Sequence, residues 1–156
     1  MIKFELTSEK EVLGLGASLA SLLCGEGVVH LRGGLGAGKT TLCRGILRAM
    51  GHTGAVKSPT FTLVEPYQIS DSEIYHFDLY RLADPGELEY IGIDEYFGNN
   101  KLCLIEWPEK AAGCLPQHDL EITIDVLGEK RIIGVRSNSQ SGEKICTQLI
   151  EVGESG

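Results

Sequence analysis

Residues 33–40 read Gly-Gly-Leu-Gly-Ala-Gly-Lys-Thr, a full G-x-x-x-x-G-K-[ST] string with a second hydroxyl behind it at Thr41. Its setting narrows the fold further. Val28-Val29-His30-Leu31 reads as a short buried strand, and Leu42, Ile46 and Leu47 recur at helical spacing after it. Strand, glycine loop and helix in that order form a phosphate cradle. Gly33, Gly34, Gly36 and Gly38 let the main chain curl so that its N–H groups converge on an anion. A helix starting near Lys39 adds unpaired N–H groups and roughly half a positive charge from its dipole. The phosphate-binding candidates are therefore Gly34, Leu35, Gly36, Ala37, Gly38, Lys39, Thr40 and Thr41. Lys39 can reach the β- and γ-phosphates, and Thr40 offers its hydroxyl to Mg2+. A glycine-rich turn that merely caps a helix would not need the glycines, the Lys and the Thr all in register.

At 156 residues the chain fits one domain, 1–156. Its net charge of -8 argues against a protein that grips nucleic acid by itself, because such affinity comes mainly from Lys and Arg on phosphates. RNA reached through a basic partner stays open. The five cysteines are odd in number and none are spaced C-x-x-C, so neither a disulfide framework nor a zinc site is indicated. Cys24, Cys43, Cys103 and Cys146 sit among apolar residues and read as small core fillers; Cys114 stays open. No apolar run has signal-peptide length or approaches the ~20 residues of a membrane span. The expectation is a cytoplasmic protein with no membrane association.

Residues 2–6 alternate as an edge strand, and Ser8 with Glu11 forms a capping box before a helix over 9–24. A core strand at 27–32 feeds the glycine loop and a helix over 39–50, closed by Gly51. After the small polar loop 52–60, strands at Phe61–Tyr67 and Glu73–Leu79 should pair as an antiparallel hairpin. Asp84 and Pro85 are placed to cap and start another helix, which carries Leu88 and Ile91. The run Leu102-Cys103-Leu104-Ile105 fits a strand covered on both faces. Residues 119–126 and 130–136 form a second hairpin, and a weak helix lies near 143–150. The predicted fold is a three-layer α/β P-loop NTPase domain whose mixed sheet has parallel centre strands and antiparallel hairpin additions. Such domains bind ligands at the C-terminal ends of their parallel strands.

A phosphate loop alone binds a nucleotide; hydrolysis also needs a carboxylate for the metal and a group that places water. Two strands end in an acid: Ile74-Tyr75-His76-Phe77-Asp78 and Leu102-Cys103-Leu104-Ile105-Glu106. Glu106, on the more central strand, is the preferred magnesium-side acid. Asp78 then orients a water or holds the metal through one. Alternatively, one of the two only caps a loop or pairs with Arg81. Thr60, closing the 52–60 loop, is either a switch hydroxyl that meets metal and γ-phosphate or simply the start of a strand after Pro59. Trp107, beside Glu106, reads equally as core packing or as a contact with nucleotide or partner. His30 and His76 read as satisfied core histidines. Arg81 is a candidate for transition-state charge, although a structural ion pair fits it better. Arg131, in the last hairpin, is a candidate to lie over the base. The sequence holds no N-K-x-D guanine reader, so ATP is favoured over GTP by default.

The residues now assembled resemble the TsaE (YjeE) family of bacterial P-loop ATPases needed to make threonylcarbamoyladenosine in tRNA. The matching segments are Gly33–Thr41, Val56–Tyr67, His76-Phe77-Asp78-Leu79-Tyr80-Arg81-Leu82 and Ile105-Glu106-Trp107-Pro108-Glu109, in that order. The resemblance implies a Mg2+-dependent ATPase, weak alone, in which Lys39 and Thr40 hold phosphate and magnesium. It also implies that Thr60 lies on a switch-like loop and that Asp78 and Glu106 serve metal and hydrolysis. Its implied partners are TsaB and the transferase TsaD, with tRNA reached through that complex. The competing readings are a small-molecule kinase on the same loop and a module that holds ATP without turnover. A kinase normally carries an arginine-rich lid, and no arginine cluster follows the nucleotide helix.

Overall fold

The structure, a computed structural model, describes residues 1–155, with side chains as far as Val152. β1 (Ile2–Leu6) leads into α1 (Glu9–Leu23), where Ser8 Oγ accepts from the Glu11 amide at 3.2 Å. The Glu11 carboxylate reaches back to the Thr7 amide at 2.8 Å, one residue outside the usual capping box. β2 (Gly27–Gly33) runs into the glycine loop and α2 (Lys39–Met50). The hairpin β3 (Val64–Ile69) and β4 (Ser72–Asp78) follows, then the short α3 (Glu87–Tyr90) and a 3-10 turn at Ile93–Tyr96. β5 (Lys101–Glu106) continues into a second 3-10 turn at Pro108–Ala111. A hairpin of β6 (Leu120–Leu127) and β7 (Lys130–Ser137) and the helix α4 (Gln140–Ser155) complete the chain. Among the described residues, no helix is long and apolar enough to cross a membrane.

The seven strands form one sheet in the order β1-β7-β6-β2-β5-β4-β3. β6, β2, β5 and β4 are mutually parallel; β7, β1 and β3 are antiparallel additions. Alternation along the strands sorts the two faces. On one face Val29 and Leu31 of β2 pack with Ile74, Leu102 and Leu104 against α1 and α2. Phe77, Cys103 and Ile105 point the other way, under Leu79, Leu82, Leu88 and Ile93. Each fully buried Leu, Ile or Phe contributes about 1.5–3 kcal/mol by leaving water, so the parallel strands that carry the loop are the best-anchored part of the sheet.

Several expectations shift. Residues 60–63 are a turn rather than the start of β3: Leu63 adopts φ +68° and its amide donates to Pro59 O at 2.8 Å. Phe61, read as strand, is exposed there. Asp84 does not cap a long helix. Its Oδ1 accepts from the Gly86 amide at 3.0 Å, and the helix begins only at Glu87, with Gly92 (φ +69°) ending it after a single turn. Cys24 is not a core filler; it is exposed at the end of α1 in left-handed geometry. Cys43 and Cys103 are buried, Cys146 is half-buried and Cys114 is exposed.

Candidate functional site

The parallel register sets the site. β4 and β5 pair so that Asp78 stands opposite Glu106, and β2 and β5 pair so that Leu31 stands opposite Glu106. Both acids therefore end their strands level with the point where β2 turns into the glycine loop. Gly36 (φ +74°) and Gly38 (φ +116°) hold left-handed backbone that residues with a Cβ rarely adopt. A Cβ built on Gly34, Gly36 or Gly38 would meet no atom within 4 Å beyond its chain neighbours, so there is open space beside the loop at these positions. Gly38 stands at the cap position of α2 and makes no side-chain cap bond, so the first amides of that helix have no side-chain acceptor there.

A cavity of about 280 Å³ opens on this loop, bounded by residues 35–41 and by Ser58, Thr60, Asp78, Glu106 and Trp107. Thr40 Oγ1 donates to Glu106 Oε2 at 3.0 Å and lies 3.3 Å from Oε1. Thr60 Oγ1 donates to Asp78 Oδ2 at 3.1 Å and shares a 2.7 Å hydrogen bond with Ser58 Oγ. Asp78 Oδ1 accepts from the Tyr80 amide at 3.0 Å. Lys39 is 5% exposed, yet among the described residues its ammonium donates only to main-chain oxygens, Gly33 O and Gly34 O. It also lies 3.7 Å from the centre of the Trp107 ring. Burial lowers the Lys39 pKa, against the pull of the Glu106 and Asp78 carboxylates. The site thus holds one desolvated cation and two desolvated acids facing an open loop of amides.

Trp107 owes its place to backbone geometry. It follows β5 directly, adopts φ +59° and starts the Pro108–Ala111 turn, which swings its ring over Lys39 and within 5.0 Å of the Tyr80 ring. A non-glycine residue in that region stores strain and commonly marks a functional position.

Other candidates lie elsewhere. Arg81 is exposed, its guanidinium carbon 4.5 Å above the Phe61 ring, outside the cavity. Arg131 is on the far side of the loop, where its Nε donates to Ala37 O at 2.9 Å. There it borders a second cavity of about 250 Å³ that shares Gly36, Ala37, Gly38 and Thr41 with the first and adds Thr7, Ser8, Glu9 and Val12. Those residues around the start of α1 were invisible as site candidates, because their side chains read as an ordinary helix start. The histidines depart from expectation. His76 Nε2 lies 2.5 Å from Glu106 Oε2, beneath the cavity, while its Nδ1 has no partner among the described residues. His30 stacks on His118 with ring centres 4.1 Å apart, and its buried Nε2 also lacks a partner. Neither is a fully satisfied core residue.

Comparison with known proteins places the chain in a family. The family model described as "Threonylcarbamoyl adenosine biosynthesis protein TsaE" matches residues 6–133. The tRNA threonylcarbamoyladenosine biosynthesis protein TsaE of Haemophilus influenzae is 54% identical over 120 residues, 77% of this chain and 76% of that protein. Its namesake from Bacillus subtilis is 35% identical over 149 residues, covering 95% of this chain and 93% of its own. The crystal structure of Bacillus subtilis YdiB superposes with a TM-score of 0.81 at 30% identity, covering 97% of this chain and 95% of that one. The fold is the P-loop fold, and the chain belongs to the TsaE family.

Proposed function

We propose that this protein is a Mg2+-dependent ATPase serving the biosynthesis of threonylcarbamoyladenosine in tRNA, the process for which its relatives are named. The observation that carries the reading is one cavity holding the glycine loop, Lys39 and two hydroxyl–carboxylate pairs, Thr40–Glu106 and Thr60–Asp78.

The residues present fit a metal–nucleotide. The loop is open where its glycines lack side chains, and Lys39 has no carboxylate hydrogen bond among the described contacts. A polyphosphate beside Asp78 and Glu106 would be repelled unless a cation stood between them. When bound, Mg2+ would supply that charge, with Thr40 and Glu106 as the residues that hold it and Asp78 in reach through a water. Lys39, already largely buried, offers its charge to phosphate oxygens with little further desolvation. Asp78 is held by Thr60 and the Tyr80 amide, so its carboxylate is oriented to accept a hydrogen from a water. Thr60 also couples the 52–60 loop to the site, since ordering that loop and seating Asp78 involve the same bond.

A nucleotide whose phosphates fill the first cavity has its sugar and base directed to the second, because the two share the loop. Arg131 and the start of α1 would then border the base. TsaB and TsaD remain the proposed partners, with tRNA met through them, in keeping with the net charge of -8. None of the relatives compared points to the small-molecule kinase.

The test is phosphate release from ATP by the protein alone and with TsaB and TsaD. Slow Mg2+-dependent turnover that rises in the complex is expected. No phosphate release in either setting, or phosphoryl transfer to a metabolite instead of water, contradicts the proposal.

A further inference from the structure

His76 is fully buried, yet no step above uses it. It shares a face of β4 with Asp78, two residues on, and stands opposite Leu104 of β5. Its ring therefore meets Glu106 on the diagonal, from deeper in the sheet than Thr40, which approaches from the loop. An ionised carboxylate only accepts, so Nε2 carries the hydrogen in the 2.5 Å bond to Glu106 Oε2. Nδ1 is buried without a partner among the described residues.

A buried polar atom without a partner is destabilising, a cost that an apolar side chain in this core position would avoid. The one hydrogen bond the ring makes among the described residues is to Glu106. Thr40 is the other side chain that donates to that carboxylate. Once the Thr40 hydroxyl turned to a cation, His76 would be the group left holding Glu106. Cys43 is a buried neighbour, its Sγ within 4.8 Å of a ring nitrogen of His76 and a carboxylate oxygen of Glu106. Burial pushes its thiol pKa up and so keeps it neutral, and it offers Glu106 no competing charge.

We propose that His76 is a positioning residue: its Nε2–H pins Glu106 Oε2, the oxygen that the Thr40 hydroxyl also reaches at 3.0 Å, and so fixes the direction in which Oε1 is offered to the cation. This rests on the reading of Thr40 and Glu106 as the magnesium pair.

The experiment compares His76→Leu, which removes the donor, with His76→Gln, which keeps a donor near Nε2. For each, the Mg2+ concentration dependence of ATP hydrolysis is measured, together with ATP affinity in the presence of chelator. His76→Leu should raise the half-saturating Mg2+ concentration about 10- to 100-fold and leave metal-free ATP affinity unchanged, and His76→Gln should recover most of the loss. A Leu variant with the wild-type Mg2+ response overturns the proposal. So do Leu and Gln variants equally impaired in both measurements, which is what a purely structural role gives. Should the Leu variant not fold, nitrogen-15 NMR of the histidines in the wild-type protein decides. The Nε2–H tautomer, with a signal that moves on adding Mg2+ to the ATP-bound protein, supports the proposal; the Nδ1–H tautomer refutes it. A wild-type protein indifferent to Mg2+ would instead defeat the underlying site reading.

Discussion

Lys39 gathers the chemistry at the scale of single residues. Its side chain is largely buried, lies over an indole and faces two acids that differ in their restraints. Glu106 is joined to the loop through Thr40, whereas Asp78 is joined to the Thr60 hydroxyl and to its own following turn. Glu106→Ala should therefore impair turnover more than nucleotide binding, because the proposed role of Glu106 is to act through the metal. Comparing kcat with ATP affinity in that variant checks this, and unchanged Mg2+-dependent hydrolysis would remove Glu106 from the site. A second residue-scale effect lies away from the cavity. Burial first, then the neighbouring His118 and Arg32, push the His30 pKa down from 6.5 to about 4. The unfolded chain binds the proton more readily, so this stabilising contribution is complete above pH 6.5 and is lost as pH falls toward 4. Between pH 7 and 5 it amounts to about 2 kcal/mol. Urea unfolding at both pH values should show the acid loss shrinking by that amount in His30→Phe. Equal losses in the two proteins would show that His30 is not responsible. Lys39, Thr40, Asp78 and Glu106 were legible because motif and strand-end position mark them. The bonds of His76 were not, since a histidine in an apolar strand carries no sign of what its ring will face.

Among the elements, α1 and α2 approach more closely than their sequences announce. A Cβ on Gly16 would come within 2.9 Å of Leu42 O, and one on Gly45 within 2.8 Å of Leu13 O. Gly14, also in α1, has open space where its Cβ would be. Gly45→Ala should destabilise the protein by about 1–3 kcal/mol through backbone displacement. Gly14→Ala should be neutral or stabilise by up to about 1 kcal/mol by favouring the helix. Chemical denaturation of the pair tests the claim, and equal effects from both would show that the helices are not in tight contact. Spacing reveals which face of a helix is buried, so most strands and the helices α1 and α2 were readable within a residue or two. It does not reveal how near a neighbouring helix will come. The start of β3 was missed for a related reason: Phe61 and Leu63 look like strand residues, but the bend from Pro59 to Leu63 points Phe61 outward.

Across the whole molecule, function follows from where the parallel strands stop. β2 delivers the loop, β5 delivers Glu106 and β4 delivers Asp78 at one edge of the sheet, while the anchoring hydrophobic layers lie on both faces below them. The antiparallel half has its own part, because Arg131 on β7 braces the loop through Ala37 O. That long-range contact joins residues 94 positions apart, and no local pattern could have announced it. The molecule as a whole is acidic, so its one deeply placed lysine matters more for drawing in a polyphosphate than any surface charge. Calorimetric titration of ATP with Mg2+ into the wild-type protein and Lys39→Ala is the most direct test. One saturable site in the wild type is expected, strongly weakened in the variant by loss of charge-assisted bonds of roughly 1.5–3 kcal/mol each. A wild-type protein that takes up no nucleotide, or a Lys39→Ala variant that binds it as tightly, would contradict the account.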